Sequence, residues 1–274
     1  MRKVDEAMPA AMAWRSLRLM CRRSLAKHVD LSVEGLDRIP ETGPLVIVAR
    51  HYHHLYDGCA IGTSLARHLH ILVAADWASG GASRGVLERA SHMARWPVVL
   101  RPDAPTYQPA RFPDEVSREA YEATAARYLQ RAARETVELL RGGHALLVFP
   151  EGYPTIDPTF TPKTRDDEML PFQAGFARLV ALAERNGVTR VPVVPTGLEY
   201  ERLDDDRWRL VLRYGGPIFL GHSSPRDFMA DVEDEIRRLS ALPPSIQTRS
   251  FGIRVSVCPI ERGRPGRPQL KTPG

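Results

Sequence analysis

Short apolar, β-branched runs alternate with longer segments of helical spacing along most of this chain. The first segment, 9–27, places Ala10, Ala13, Trp14, Leu17, Met20, Cys21 and Leu25 at i, i+3, i+4, i+7 spacing, with Arg15, Arg18, Arg22 and Arg23 largely off that face. It reads as an amphipathic helix with two open interpretations: packed on the domain with its arginines solvated, or lying in an anionic membrane interface, which Trp and Arg suit. A short alternating strand follows at Leu31–Gly35, and a buried strand at 45–49. Further buried strands are expected at 71–75, 97–100, 145–149 and 191–195, and an alternating one at 208–214. Helices are expected at 59–70, 84–94, 118–141 (ended by Gly142-Gly143) and 172–186. Another starts at Ser224-Pro225-Arg226-Asp227, with Phe228, Val232, Ile236 and Leu239 on one face.

Two stretches carry turn chemistry instead of periodicity. Residues 102–117 hold Pro102, Pro105, Pro109 and Pro113 and read as a long loop, and 153–168 read as a second polar loop. The prolines of 191–195 predict an edge or strand-end position for that strand. The alternation of strands and helices predicts an α/β fold with a largely parallel mixed sheet flanked by helices. Three segments result: an N-terminal amphipathic helix (1–30), a main domain (31–244) and a basic, partly disordered tail (245–274) rich in Gly, Pro and Arg.

Composition adds modest constraints. With 274 residues, 43% hydrophobic and 26% charged, the chain is long enough for one large globular domain. A formal charge of +5 favours acidic partners, and it is carried by arginine, with lysine only at 3, 27, 163 and 271. No stacking-aromatic or helix-turn-helix pattern points to nucleic acid. Cys21, Cys59 and Cys258 are scattered, which argues against a disulfide framework or a cysteine zinc site and for a reducing cytosol. Cys59 reads as packing. No apolar run is long enough for a transmembrane helix, and Asp5 and Glu6 argue against a signal peptide.

The candidate chemistry lies at strand ends, where open α/β sheets place their ligands. The strand at 45–49 runs into Arg50-His51-Tyr52-His53-His54-Leu55-Tyr56-Asp57-Gly58, the strand at 97–100 ends at Arg101, and the strand at 145–149 runs into Pro150-Glu151-Gly152. If these ends share one edge, a base, a cation and a carboxylate meet in one cleft. That layout suits acyl transfer to the hydroxyl of an anionic acceptor: a histidine removes the proton, an aspartate fixes its tautomer, and an arginine grips a phosphate. The competing reading is a metal-dependent hydrolase using His51, His53 and Asp57, although Gly58 stands where a metallo-β-lactamase-type site needs histidine.

Arg50 to Gly58, Val98 to Arg101, Val148-Phe149-Pro150-Glu151-Gly152 and Val191 to Pro195 resemble, in order, the four sequence blocks of the glycerophospholipid acyltransferases. The run Leu170-Pro171-Phe172-Gln173-Ala174-Gly175-Phe176-Ala177-Arg178-Leu179 is similar to another segment of that family, and the resemblance extends from about 31 to 215. It implies transfer of an acyl chain from acyl-CoA or acyl carrier protein to a lysophospholipid or glycerol-phosphate-type hydroxyl, by direct attack on the thioester. It implies His51 as general base, Asp57 as its orienting partner, and Arg101 at the acceptor phosphate, with Phe149, Pro150, Glu151 and Gly152 shaping the site. No metal or redox cofactor is implied, and the expected location is the cytoplasm, peripheral on the inner membrane face.

Two departures stand out. Five residues separate His51 from Asp57 where the family has four, so counting back from Asp57 reaches Tyr52, and His53 remains the alternative base. A one-residue bulge is the expected remedy. After Gly152 the family's Thr-Arg-Ser is replaced by Tyr153-Pro154-Thr155, leaving Lys163 or Arg165 as candidates for the missing cation. These departures keep open a catalytically inactive, membrane-binding version of the fold.

Overall fold

The computed structural model describes residues 7–78, 81–204, 206–221 and 224–243; the tail expected at 245–274 lies outside them. Strand β2 (Leu45–Ala49) is buried along its whole length. Its neighbours in a six-stranded sheet are β6 (Ala145–Val148) and β7 (Val193–Arg202), and with β1 (Val29–Glu34), β3 (Leu69–Ile71) and β8 (Trp208–Tyr214) the order is β1-β8-β7-β2-β6-β3. All neighbours are parallel except β7 and β8. The mixed, mostly parallel sheet expected from the sequence is therefore present.

The apolar runs are continuous because both faces of this sheet are covered. Leu45, Ile47 and Ala49 point to the face covered by α1 (Ala7–His28) and α2 (Tyr56–Ser64), among Trp14, Leu25, Ala60 and Ile61. Val46 and Val48 point to the other face. There they meet Phe176 and Val180 of α6 (Gly175–Glu184) and Phe228, Val232 and Ile236 of α7 (Pro225–Leu239). Ser224 caps α7 by accepting the Asp227 N–H, with Pro225 at its start. Gly197 on β7 is required by the close approach of α7, since a Cβ there would lie 2.3 Å from the Leu239 carbonyl carbon.

Several elements differ from the sequence expectation. The run 71–75 does not make one strand: β3 ends at Ile71, and Val73–Ala74 (β4) pairs with Val98–Val99 (β5) in a separate two-stranded ribbon. The ribbon has its own small core of Ala75, Leu100 and Ala125, walled by α3 (Gly81–Ala94) and α5 (Glu115–Arg141). Arg101 thus follows a strand of the ribbon, outside the main sheet. The proline-rich stretch contains a short helix, α4 (Ala104–Tyr107), and a 3-10 turn at Pro109–Arg111, both with proline in the first positions, where a missing N–H costs nothing. Asp114 and Ser117 then cap α5 reciprocally and start it before 118.

Strand β7 is central, and its prolines sit at the N-terminal end. Pro195 accepts from the Gly215 N–H, so its own nitrogen faces the side where the β8 ladder begins only at Thr196. Helix α2 starts earlier than 59, which puts Asp57 in its first turn.

Candidate active site

The turn after β2 is built around one carboxylate. Asp57 is fully buried, and its Oδ2 accepts three hydrogen bonds: from the Tyr52 N–H (2.7 Å), the His53 N–H (3.0 Å) and His51 Nδ1 (2.9 Å). Its Oδ1 accepts the Tyr200 hydroxyl at 2.7 Å. The chain therefore wraps around the carboxylate, and the residue in excess of the family spacing is absorbed by this winding. The turn is also pinned from outside: Thr155 N–H donates to the His51 carbonyl, Ile156 N–H to the Tyr52 carbonyl, and His54 N–H to the Ile156 carbonyl.

Because Asp57 only accepts, His51 Nδ1 carries the hydrogen, which leaves the lone pair on Nε2. No described residue hydrogen-bonds Nε2, and the side chain is 15% exposed. The ring stacks on Phe149 at 4.1 Å between centroids. His53 is employed differently. Its Nδ1 accepts the N–H groups of Leu55 (3.2 Å) and Tyr56 (3.3 Å) at the start of α2, and its ring stacks on Tyr56. Burial pulls its pKa down to about 4, so the ring is neutral near pH 7. His54 is exposed and bonds the Ile156 carbonyl.

The Phe149-to-Gly152 segment braces this turn. Glu151 Oε1 accepts the His51 N–H at 2.8 Å, and Oε2 accepts the Leu170 N–H (3.0 Å) and Lys163 Nζ (2.6 Å). Lys163 also donates to the His51 carbonyl at 2.7 Å. Both side chains of this ion pair are fully buried, and burial lowers the Lys163 pKa against the pull of Glu151. Pro150 buttresses the next segment by accepting the Gln173 N–H. Of the two cations proposed to replace the missing arginine, Lys163 is spent inside the protein, and Arg165 is exposed and paired with Asp167.

Arg101 stands on the other side of the Glu151-Gly152 peptide. Its Nε meets Asp76 Oδ2 at 2.8 Å, Nη1 donates to the Gly152 carbonyl at 3.0 Å, and its guanidinium lies 3.9 Å over the ring of Tyr153. Gly152 has φ +75, a left-handed conformation, and a Cβ there would touch the Arg101 stem at 3.6 Å. The expected residues are thus brought together, with one dipeptide anchoring His51 through Glu151 and Arg101 through Gly152.

Sequence reasoning missed Asp76, Tyr200 and the use of Lys163. Asp76 follows the short ribbon strand, and Tyr200 lies far along β7, so neither carries a local signal. Lys163 carried one: it is the only lysine between 27 and 271. His51 and His53 turn Nδ1 to different partners, and among the described residues no group of three or more His, Cys, Asp or Glu is arranged to hold a metal ion.

No curated protein sequence matches this chain. A solved structure, the 1-acyl-sn-glycerophosphate (LPA) acyltransferase PlsC from Thermotoga maritima, is similar in fold, with a TM-score of 0.53 and 19% identity over 87% of this chain and 82% of that one. The family model named Acyltransferase matches residues 30–199, which include the His51–Asp57 turn, Arg101 and the Phe149-to-Gly152 segment, and the chain accordingly belongs to the acyltransferase family.

Proposed function

We propose that this acyltransferase moves a fatty acyl chain from acyl-CoA or acyl carrier protein to the hydroxyl of a lysophospholipid or glycerol-phosphate-type acceptor. The observation that carries this reading is the His51–Asp57 pair: a buried carboxylate on Nδ1 and an open lone pair on Nε2. In the proposed reaction the acceptor hydroxyl gives its proton to Nε2 as its oxygen adds to the thioester carbonyl. The tetrahedral intermediate collapses, the C–S bond breaks, and the departing thiolate takes the proton back from the imidazolium. Asp57 holds the tautomer and stabilises the transient positive charge. No acyl-enzyme and no metal take part.

Arg101 is assigned to the acceptor phosphate. Asp76 and Gly152 hold Nε and Nη1, which fixes the plane of the guanidinium and leaves Nη2 for a phosphate oxygen. The anionic membrane surface is assigned to α1, where Met12, Leu19 and Met20 are exposed beside exposed Arg15, Arg22, Arg23 and Lys27. No described helix is long and apolar enough to cross a membrane, so the proposed association with the inner face is peripheral.

A panel of acyl-CoA and acyl carrier protein donors against lysophosphatidate, other lysophospholipids and glycerol phosphate tests the reaction. Transfer to at least one acceptor is expected, and release of free fatty acid alone would replace transfer by hydrolysis. Sedimentation with anionic vesicles tests the surface: Leu19→Glu with Met20→Glu is expected to abolish binding, and unchanged binding would remove α1 from that role.

A further inference from the structure

Cys21 and Cys59 are scattered in sequence but adjacent in space. They lie on α1 and α2, and Cys59 Sγ donates to Cys21 Sγ across 2.9 Å. That is inside the contact distance of two non-bonded sulfurs and within about 1 Å of a disulfide bond length. Both thiols are free, Cys59 buried and Cys21 partly exposed. The two positions differ chemically as well. The S–H of Cys59 lowers the Cys21 pKa, while the same bond and burial raise that of Cys59. A partly exposed cysteine in contact with a buried second thiol is the arrangement of an oxidisable pair.

We infer that Cys21 and Cys59 form a reversible disulfide, with a hydroperoxide as oxidant, Cys21 as the attacking thiol and Cys59 as the resolving one. The Cys21 thiolate attacks one peroxide oxygen, the O–O bond breaks, and the second oxygen leaves as water or an alcohol after taking a proton. The Cys59 sulfur then attacks the sulfenic sulfur, the S–O bond breaks, and the hydroxide takes the Cys59 proton and leaves as water. Two thiols and one hydroperoxide give one disulfide, one alcohol or water, and a further water; a dithiol reverses the oxidation. The product ties α1, which carries the exposed Met12, Leu19 and Met20, to the helix whose first turn carries Asp57. The inference rests on the thiol geometry and stands apart from the identity of the acyl acceptor.

The test uses the full chain treated with a small excess of hydrogen peroxide, quenched with an alkylating agent, and read by intact mass and peptide mapping. Loss of two hydrogens, a cross-linked peptide pair containing Cys21 and Cys59, and reversal by dithiothreitol are expected, unchanged in Cys258→Ser. In Cys59→Ser, Cys21 should stop at a dimedone-trappable sulfenic acid. Sulfinic acid at Cys21 without a link in the unmutated chain, a link to Cys258 instead, or both thiols remaining alkylatable would each overturn it.

Discussion

Two groups of histidines sit at opposite ends of the same sheet and have opposite fates. His51 and His53 lie past the C-terminal end of β2, whereas His68, His70 and His144 lie at the N-terminal ends of β3 and β6, their rings in contact with one another and, through His68, with Trp14. At the first end Asp57 takes the His51 Nδ1 hydrogen. At the second, no carboxylate among the described residues acts on the rings: His70 Nδ1 meets the Arg95 carbonyl, and Nε2 of both His68 and His70 is buried with no partner among those residues. Burial and neighbouring cations pull His68 to about 4 and His70 to about 3. Histidine clustering alone therefore says little about chemistry. What separates a candidate base from a packed ring is a buried acceptor on one nitrogen and an open path to the other.

The largest effect expected from breaking this contrast is catalytic. His51→Ala and Asp57→Asn should each lower kcat/KM by about 10²–10⁴-fold, while His68→Leu leaves it within a few-fold. His53→Asn should cost stability more than rate; an intact His51→Ala with a dead His53→Asn would exchange their roles. Next comes the brace beneath the turn. Lys163→Met leaves Glu151 buried without its counter-ion, and denaturant unfolding should show a loss of about 3–5 kcal/mol.

A smaller effect is expected at Tyr200, whose hydroxyl is forced far above its usual pKa by burial and Asp57 and so stays a donor. Tyr200→Phe should cost about 1–2 kcal/mol. Denaturant unfolding checks it, and an unchanged midpoint would remove the Tyr200–Asp57 hydrogen bond from the support of the turn. The smallest effect belongs to the opposite end of the sheet. Between the usual histidine value near 6.5 and the folded values of about 4 and 3, the unfolded chain binds more protons than the folded one. Stability is thus full above that window and falls as pH drops through it. His70→Leu should make the fall in the urea midpoint shallower, and an unchanged slope would clear His70 of it.

The sequence was informative where a signal is local. The period-two and period-3.6 patterns located the main strands and helices, and strand-end motifs located His51, Asp57, Arg101 and Glu151. It failed where one run serves two structures, as at 71–75, because periodicity marks burial and not the sheet that provides it. It also failed where proline stands at a helix start, as in 102–117.

By itself the sequence determined the α/β class and the two-faced burial of β2, since each follows from side-chain polarity along neighbouring residues, and it carried the family motifs in order as a resemblance. Only the tertiary structure distinguished the surroundings of His51 and His53, by giving one ring a carboxylate and the other the amides of Leu55 and Tyr56 at the start of α2. It also decided that Lys163 is a strut, that Asp76 and Tyr200 belong to the site, and that Cys21 meets Cys59. Each of those outcomes depends on which partner arrives from a distant element, and the spacing within one segment carries no record of that.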